Sequence, residues 1–224
     1  YRLIALAPAS VQEMADFVGI AFDLAFKYRN PAIILADGVI GQMMEKVVLP
    51  EQRTRLTDEE VIARCPWATT GRTHHRTPNI ITSLELDPAE MEKRNIHLQK
   101  KYAEIEENEV RFEELHCEDS EYLIVAFGSC ARIAQKAMEM AREEGIKVGL
   151  LRPITLWPFP SKAIAARAAQ VKGILTVELN AGQMVEDVRL AVKCKVPVEH
   201  FGRLGGIVPD PDEVITALKE KLIK

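Results

Sequence analysis

The 224-residue chain is 47% hydrophobic and 28% charged, which is the composition of an ordinary globular protein with one large domain or two small ones. The formal net charge of −4 and the lack of a basic patch argue against a nucleic-acid partner. The apolar start, residues 1–8, is too short to span a bilayer and lacks the basic beginning of a signal peptide, so a cytoplasmic protein without membrane contact is expected.

The four cysteines, Cys65, Cys117, Cys130 and Cys194, are far apart and form no CxxC motif. Clusters and structural zinc need several thiolates that converge, usually from a tight local motif. We therefore expect reduced thiols and neither an iron–sulfur cluster nor a metal held by this chain alone. The one histidine pair, residues 74–75, is interpreted as part of a solvated or interface loop.

The first segment, residues 1–50, contains a helix and a buried strand. Ser10 and Glu13 have the spacing of a capping box, in which each side chain binds the backbone at the other residue. Apolar residues then recur at helical spacing until Asn30–Pro31 ends the helix. Residues 32–36 are an apolar run typical of a parallel strand covered on both faces. This segment is too small for a domain, and it predicts the C-terminal end of a domain whose front is absent.

The second segment, residues 51–119, begins irregularly and continues as a long helix. Asp87–Pro88 is a helix-start signal, and four apolar residues recur seven apart: Met91, Leu98, Ile105 and Phe112. Thirteen acidic and five basic residues lie between Glu85 and Glu121. The pattern predicts a linker with an acidic helix of roughly 27 residues that lies on a surface through one narrow stripe.

The third segment, residues 120–224, alternates strands and helices. Strands are predicted at residues 122–127, 147–151, 174–178 and 196–201, and helices follow each of them. Strict alternation indicates a parallel sheet with right-handed crossovers and helices on both faces. The predicted class is therefore α/β.

Loops that follow the strands of such a sheet are where ligands and partners bind. After the first strand, Gly128–Ser129–Cys130 could hold an anion at a helix N-terminus, but Ser129 as an ordinary helix cap is the favoured interpretation. The loop at residues 201–206 carries three glycines and Arg203, and a flexible connection is favoured over an anion site there.

Two other loops are candidate interfaces. In the proline-rich loop at residues 153–160, Trp157 and Phe159 offer apolar area for a partner, with folding onto the same domain an equal alternative. After the third strand, a turn with hydrogen-bonding groups and a glycine could approach another chain, and a simple turn is its alternative. The residues of interest there are Glu178, Asn180, Gly182 and Gln183.

Together these segments resemble the alpha subunits of 2-oxoacid:ferredoxin oxidoreductases. LRPITLWPFP at 151–160, VELNAGQM at 177–184 and FGRLGG at 201–206 resemble the second domain of those subunits, which is similar to the C-terminal domain of transketolase. APASVQEM at 7–14 and ILADGVIGQMME at 34–45 resemble the end of the family's thiamine-binding pyrimidine domain.

The resemblance implies a division into residues 1–50, 51–119 and 120–224, the last being the transketolase C-terminal-like domain. It also implies oxidative decarboxylation of a 2-oxoacid to an acyl-CoA with reduction of ferredoxin. Residues 38–45 and 103–111 are most similar to the branched-chain, 2-oxoisovalerate type. The family's substrate-contacting motif lies in the absent front, so no catalytic residue is assigned, and Asp37 and Gly38 are candidates only for a subunit interface.

The resemblance further implies cofactors and partners. Thiamine diphosphate and Mg²⁺ would lie at the interface with a beta subunit, and coenzyme A would be the co-substrate. The iron–sulfur clusters would lie in the beta subunit and a ferredoxin-like subunit, ferredoxin would accept the electrons, and a homodimeric contact is expected. The chain alone is expected to be inactive.

Three alternatives remain open from the sequence. The chain could belong to a 2-oxoglutarate:ferredoxin oxidoreductase, to a 2-oxoacid dehydrogenase that uses lipoamide, or to a docking module without activity. The partners that co-purify and the acyl-CoA formed by the complex would distinguish them.

Overall fold

The computed structural model describes residues 1–69 and 77–223 and divides into two compact units. The first comprises Tyr1–Val48 and Lys101–Lys224, and the second comprises Leu49–Lys100. The predicted three-part division by domain stays a prediction. The histidine pair at residues 74–75 lies outside the described residues.

The first unit begins with a small sheet. Its elements are β1 (Ile4–Leu6), α1 (Val11–Tyr28), β2 (Ala32–Ile34) and α2 (Gly38–Gln42). Strand β1 lies between β2, which is parallel to it, and β6 (Thr155–Trp157), which is antiparallel. This sheet therefore joins residues 4–34 to the middle of the later segment, because its third strand, β6, lies at residues 155–157.

Helix α1 starts where the sequence predicts it. Ser10 Oγ accepts the Glu13 amide at 3.1 Å, which satisfies one of the helix's free N–H groups. The return half of the predicted capping box is different, because the Glu13 carboxylate accepts the amide of Ala9 at 2.7 Å. The helix ends at Arg29, whose left-handed backbone (φ 46°) closes the last turn.

A five-stranded sheet dominates the rest of the first unit. The five strands of this sheet are β3 (Phe112–Leu115), β4 (Tyr122–Ala126), β5 (Val148–Pro153), β7 (Gly173–Glu178) and β8 (Val198–Gly202). The helices of this part of the chain are α5 (Gly128–Glu143), α6 (Ser161–Ala168), α7 (Met184–Val192), α8 (Pro211–Leu218) and a π-helical turn, Lys219–Ile223. Strand β6 lies between β5 and α6 in the chain and belongs to the small sheet. The strand order is β3-β5-β4-β7-β8. Helix α3 (Asp58–Arg64) lies in the second unit, and α4 (Pro88–Asn108) begins there.

Helices cover both faces of this sheet, so the predicted α/β class is confirmed. Helices α5 and α8 pack on one face, around Met138 and Leu218, while α6 and α7 pack on the other, around Ile164 and Val188. Strands β5 and β7 are buried along their whole length. Because both faces are covered, these strands are apolar over most of their length, and their polar residues, Arg152 of β5 and Thr176 and Glu178 of β7, are buried with them.

Two expectations about this region are wrong. Phe112 was predicted to extend the long helix, but α4 ends at Asn108 after 21 residues and Phe112–Leu115 form an antiparallel edge strand on β5. Strict strand–helix alternation also fails, because β6 follows β5 with no helix between them. Residues 112–115 pair with the free edge of β5, and this backbone pairing outweighs the helix that the seven-residue spacing predicts.

The second unit contains helix α3 and the start of helix α4. Its helix α3 begins with a full capping box, in which Thr57 and Glu60 bind each other's backbone. Asp87 caps α4 by accepting the amides of Ala89 and Glu90, as predicted from Asp87–Pro88. Within the described part of the chain, no helix is long and apolar enough to cross a membrane.

Candidate functional site

Asp37 lies beyond the carboxyl end of β2, and its carboxylate accepts hydrogen bonds from the N-termini of two helices, α2 and α5. Its Oδ1 accepts the amides of Val39 and Ile40 at 3.0 Å each, at the start of α2. Its Oδ2 accepts the amide of Ser129 at 2.9 Å, in the first turn of α5. Burial opposes the charged form, but these N–H donors outweigh it, and the pKa of the Asp37 carboxyl lies below its usual value.

The start of α5 differs from the predicted serine cap. The helix begins after Phe127, whose side chain makes no capping hydrogen bond, and the buried Oγ of Ser129 has no hydrogen-bond partner among the residues that the structure describes. The anion at this N-terminus is the carboxylate of Asp37. Gly128 makes the approach possible, since its φ is +61° and a Cβ there would lie 2.9 Å from Asp37 Oδ2.

A second carboxylate, Glu45, reinforces the same junction. Its Oε2 accepts the amide of Val11 at 3.0 Å at the start of α1, and its Oε1 pairs with Arg132 of α5 at 2.7 Å. The Val11 amide and then the Arg132 guanidinium lower the pKa of Glu45. Helices α1, α2 and α5 thus present their N-termini to carboxylates of this chain, which complement the positive ends of the helix dipoles.

Glu178 has a similar role at the end of β7. Its side chain is fully buried, and its two oxygens accept the amides of Gln183, Met184 and Val185 at 2.8–3.1 Å. The buried Glu178 carboxylate therefore caps the N-terminus of α7. Gln183, in contrast, is exposed.

The turn between β7 and α7 packs beside His200 of β8. Asn180 Oδ1 accepts the amide of Gly182 at 2.7 Å, while His200 Nδ1 lies 3.2 Å from Thr176 Oγ1. A Cβ at Gly202 would lie 2.2 Å from the Asn180 carbonyl oxygen, so only glycine fits there. This arrangement is a rigid turn, which leaves Asn180 and Gly182 half-buried.

Trp157 and Phe159 contact their own chain. Trp157 belongs to β6, opposite Ala5, and its ring meets Tyr102 edge-to-face with centroids 6.0 Å apart. Phe159 packs against the core under α6 and α7. Both side chains are half-buried, and whether they also meet another subunit stays a prediction.

A cavity of about 740 Å³ opens beside these two aromatic residues. Asp187 of α7 contributes to its wall, and partial burial, followed by the nearby carboxylates Glu186 and Glu178, raises the pKa of Asp187. The basic groups at the wall are paired: Arg2 with Glu106 and Lys162 with Glu107, each at 2.6 Å. The cavity thus lies between the Trp157–Phe159 segment and Asp187 of α7, and the turn at residues 180–183 is not among its lining residues.

The glycine loop after β8 does not present a free arginine. Arg203 NH1 donates to Glu213 at 2.6 Å, and the Arg203 amide donates to the carbonyl of Glu178 at 3.2 Å. The cation is thus used to hold the start of α8. This pairing agrees with the preference for a connection over an anion site.

Two buried charges escaped the sequence patterns. Arg152 is 8% exposed and makes a two-pronged pair with Glu13, with the closer oxygen at 2.6 Å. Glu109, at the end of α4, accepts Lys27 Nζ and Tyr28 OH at 2.7 Å each. Partners 139 and 82 residues apart leave no local signal, so neither pair could be found from spacing.

The described residues do not offer a metal centre. Across residues 1–69 and 77–223, no group of three or more His, Cys, Asp or Glu side chains is placed to hold an ion. Glu13, in the first turn of the helix that follows β1, and Asp37, which follows β2, are both engaged by backbone amides, and Glu13 also pairs with Arg152.

Comparison with known families covers nearly the whole chain. Residues 1–115 match the family described as pyruvate flavodoxin/ferredoxin oxidoreductase, thiamine diphosphate-binding, and residues 120–214 match pyruvate:ferredoxin oxidoreductase core domain II. The chain belongs to the pyruvate flavodoxin/ferredoxin oxidoreductase family. The resemblance drawn from residues 7–14, 34–45, 151–160, 177–184 and 201–206 is confirmed at this level.

Curated relatives of this oxidoreductase-family chain differ in similarity. It is 46% identical over 220 residues to the ketoisovalerate oxidoreductase subunit VorB of Methanothermobacter marburgensis, covering 98% of this chain and 60% of that protein. It is 32% identical over 213 residues to the 2-oxoglutarate synthase subunit KorA of Archaeoglobus fulgidus, covering 94% and 59%. The chain thus spans about 60% of the length of the curated relatives it matches.

A solved structure supports the fold of this family member. The 2-oxoglutarate:ferredoxin oxidoreductase of Magnetococcus marinus, with 2-oxoglutarate, coenzyme A and succinyl-CoA bound, superposes with a TM-score of 0.74. The match covers 97% of this chain and 42% of that chain at 23% sequence identity. At that identity the likeness concerns the fold.

Proposed function

We propose that this chain is part of the alpha-type subunit of a thiamine-diphosphate-dependent 2-oxoacid:ferredoxin oxidoreductase that acts on 2-oxoisovalerate. The observation that carries the proposal is the 46% identity to two ketoisovalerate oxidoreductase subunits, against 30–32% to four 2-oxoglutarate synthase subunits. The enzyme would convert the 2-oxoacid to carbon dioxide and an acyl-CoA and would pass two electrons to ferredoxin.

Bound thiamine diphosphate would supply the nucleophilic carbon and the electron sink for decarboxylation. The match of residues 1–115 to a thiamine-diphosphate-binding family supports this cofactor, and the coenzyme A in the related solved structure supports the co-substrate. The contribution proposed for this chain is positional. Asp37 and Glu45 would hold the segment after β2 against α5 and so keep that edge of the sheet rigid for a neighbouring subunit.

The metal and the clusters are assigned to partners. We propose that Mg²⁺ and the diphosphate are held mainly by a beta subunit, because Asp37 and Glu13 are already engaged by backbone amides and by Arg152. The iron–sulfur clusters are proposed for the beta and ferredoxin-like subunits. Of the four cysteines, Cys117 and Cys130 are buried in separate cores, which suits structural thiols and not cluster ligands.

The interface proposed for the Trp157 and Asn180 loops is supported by the side chains there that stay accessible to solvent. Trp157 and Phe159 each expose part of their rings to the 740 Å³ cavity, and Gln183 is exposed at the start of α7. Glu178 acts inside the chain, so its part in the interface is to fix the turn. A beta subunit or a second copy of the chain would meet the rigid turn and the aromatic edge together.

The substrate is tested in the reconstituted complex of the full-length subunits. We expect kcat/KM for 2-oxoisovalerate to exceed that for 2-oxoglutarate when acyl-CoA formation and ferredoxin reduction are measured together. The reverse order would favour the 2-oxoglutarate enzyme. Activity that needs a lipoyl partner, or no acyl-CoA from any complex, would favour the dehydrogenase or the docking module.

A further inference from the structure

The outer side of α7 carries opposite charges at its two ends and a leucine between them. Glu186 and Asp187 lie in the first turn, and Lys193 follows the last turn. Leu190, at the midpoint, is 73% exposed, whereas the inner side of the helix is buried in the core. Residues three or four apart share one side of a helix, so these residues form one stripe. We call Glu186, Asp187, Leu190 and Lys193 the α7 face.

The charges of the α7 face are not paired with other described residues of the chain. None of the ion pairs within residues 1–69 and 77–223 includes Glu186, Asp187 or Lys193. Arg189 differs, because it lies beside the face and donates to the carbonyl of Val198 at 3.1 Å. Partial burial and then the nearby carboxylates raise the pKa of Asp187, which shows a negative charge without a compensating cation. Both ends of the face are therefore available to another molecule.

A groove borders each end of the α7 face. At the N-terminal end, Asp187 contributes to the wall of the 740 Å³ cavity, together with the rings of Trp157 and Phe159. The two basic residues of that wall are already paired with glutamates of the same wall. At the C-terminal end, a groove of about 430 Å³ is lined in part by Cys194 and Lys195. The face therefore runs from an acidic and aromatic groove to a basic one.

We propose that the α7 face binds the same face of a second copy of this chain, with the two α7 helices antiparallel about a twofold axis at Leu190. In this arrangement Leu190 meets its own equivalent. Asp187, three residues before Leu190, faces Lys193 of the other copy, which lies three residues after it. The contact thus has an apolar centre and two ion pairs at its rim, and the antiparallel helix dipoles attract each other. Each basic end also approaches the acidic groove of the other copy.

The order of these residues favours a second copy over an unlike subunit. Acidic first turns and basic last turns are common on single helices, so the charges alone do not select the partner. The exposed leucine selects it, because Leu190 lies midway between Asp187 and Lys193. A twofold rotation therefore exchanges the two charges and leaves the apolar residue in place, as a self-complementary contact requires. This inference rests on the interface proposed above for the Trp157 segment and is independent of the proposed substrate.

Exchange of the two charges tests the pairing in the full-length subunit, alone and within its complex. Asp187→Lys and Lys193→Asp should each weaken self-association by at least about tenfold in sedimentation, because each places like charges opposite each other twice. The double variant restores both pairs and should return to within about threefold of the wild type. Both substitutions oppose the dipole of α7, so an effect confined to one helix would make the double variant the weakest.

Asp212→Lys is the matched control for reversing a charge. Asp212 lies in the first turn of α8, as Asp187 does in α7, but outside the proposed contact. We expect self-association of this variant to equal that of the wild type. A loss as large as that of Asp187→Lys would show that charge reversal acts without the α7 contact and would overturn the proposal.

A cysteine on the proposed axis gives an independent measurement. Leu190→Cys, combined with Cys194→Ser, should form a disulfide between two subunits when copper–phenanthroline and air are the oxidant. Helices that cross at this position bring the two Cα atoms within the roughly 7 Å that a disulfide needs. Cys194 of the unsubstituted subunit lies four residues from the axis, so its two copies are about 12 Å apart along the helices and should stay unlinked.

The outcomes separate this contact from its alternatives. The absence of a disulfide-linked dimer from Leu190→Cys, both alone and within the complex, would overturn the proposal, and so would a double charge variant weaker than both single variants. Charge variants that weaken only the binding of a beta subunit would assign the face to that subunit instead. A complex that assembles through this contact but prefers 2-oxoglutarate would support the contact and reject only the proposed substrate.

Discussion

Asp37 Oδ2 lies 2.9 Å from the backbone nitrogen of Ser129, 92 residues later in the chain. Through this contact one carboxylate caps the start of α5 while its other oxygen caps α2. The segment after β2 and the five-stranded sheet are therefore joined by a charged group at helix N-termini, where a negative charge is most favourable.

Replacing this carboxylate should lower stability. Asp37→Ala leaves three amides without their acceptor, and loss of such hydrogen bonds costs about 1–3 kcal/mol at a partly buried site. Asp212→Asn, which changes an exposed carboxylate in the first turn of α8, serves as the control and should cost only a few tenths. Chemical denaturation of the chain measures both. Equal effects of the two substitutions would contradict the bridging role of Asp37.

The stabilisation by Asp37 should depend on pH in a defined direction. Its pKa is lowered in the folded chain, so the folded state binds the proton less readily than the unfolded state does. The contribution is fully present above the unfolded carboxyl pKa of about 4 and is lost as pH falls through the folded value. The difference in unfolding free energy between wild type and Asp37→Asn should thus shrink below about pH 4. A difference that grew on acidification would refute this assignment.

Gly128 should tolerate a side chain less well than a glycine with similar backbone geometry. Gly128→Ala should lower the free energy of unfolding by about 1–2 kcal/mol through the left-handed backbone, and it also brings a Cβ to 2.9 Å from Asp37 Oδ2. Gly145→Ala, where φ is +84° and no described atom lies within 4 Å of the added Cβ, has only the backbone cost. Thermal unfolding should therefore show a larger loss for Gly128→Ala. Combining it with Asp37→Ala should cost less than the sum of the two single substitutions.

The cysteines should differ sharply in reactivity. Burial raises the pKa of the Cys117 thiol to about 11 and that of Cys130 to about 12, with nearby carboxylates adding to both shifts. Cys194 is exposed. Because the thiolate is the reactive species, a maleimide at neutral pH should modify Cys194 and leave the other two intact until the chain unfolds. Site-resolved mass spectrometry reads the outcome, and rapid modification of Cys130 in the folded chain would contradict it.

The interface prediction concerns the Trp157–Phe159 segment, which lines the 740 Å³ cavity, and the turn at Asn180 that precedes α7. Asn180→Ala combined with Trp157→Ala should weaken assembly of the complex by a few kcal/mol, the scale of interface hot spots. Because Trp157 also packs on Tyr102, Tyr102→Ala, which removes that ring contact and leaves Trp157 in place, is the matched control for packing within the chain. Sedimentation of the complex measures assembly. Unchanged affinity of the double variant would leave both loops as internal turns.

Local patterns were sufficient for most elements of residues 120–224. Buried apolar runs predict β4, β5 and β7, and Asp210 before Pro211 predicts the start of α8, because strands between two helical layers and helix caps are specified by neighbours in the chain. Short motifs, such as those at residues 151–160 and 177–184, were also enough to predict the family. A strand buried on both faces is apolar at most positions, so such a strand is readable without knowing its partners, although its buried polar residues, Arg152 in β5 and Glu178 in β7, depend on distant or tertiary contacts.

The tertiary structure decided what depends on distant partners. Residues 112–115 continue the heptad pattern, yet become strand β3 because β5 offers an unpaired edge. Ser129 has the local form of a helix cap, yet Asp37 supplies the capping charge from 92 residues away. Helical periodicity and capping motifs describe interactions over a few residues, whereas strand pairing and long-range ion pairs depend on which segments the fold brings together.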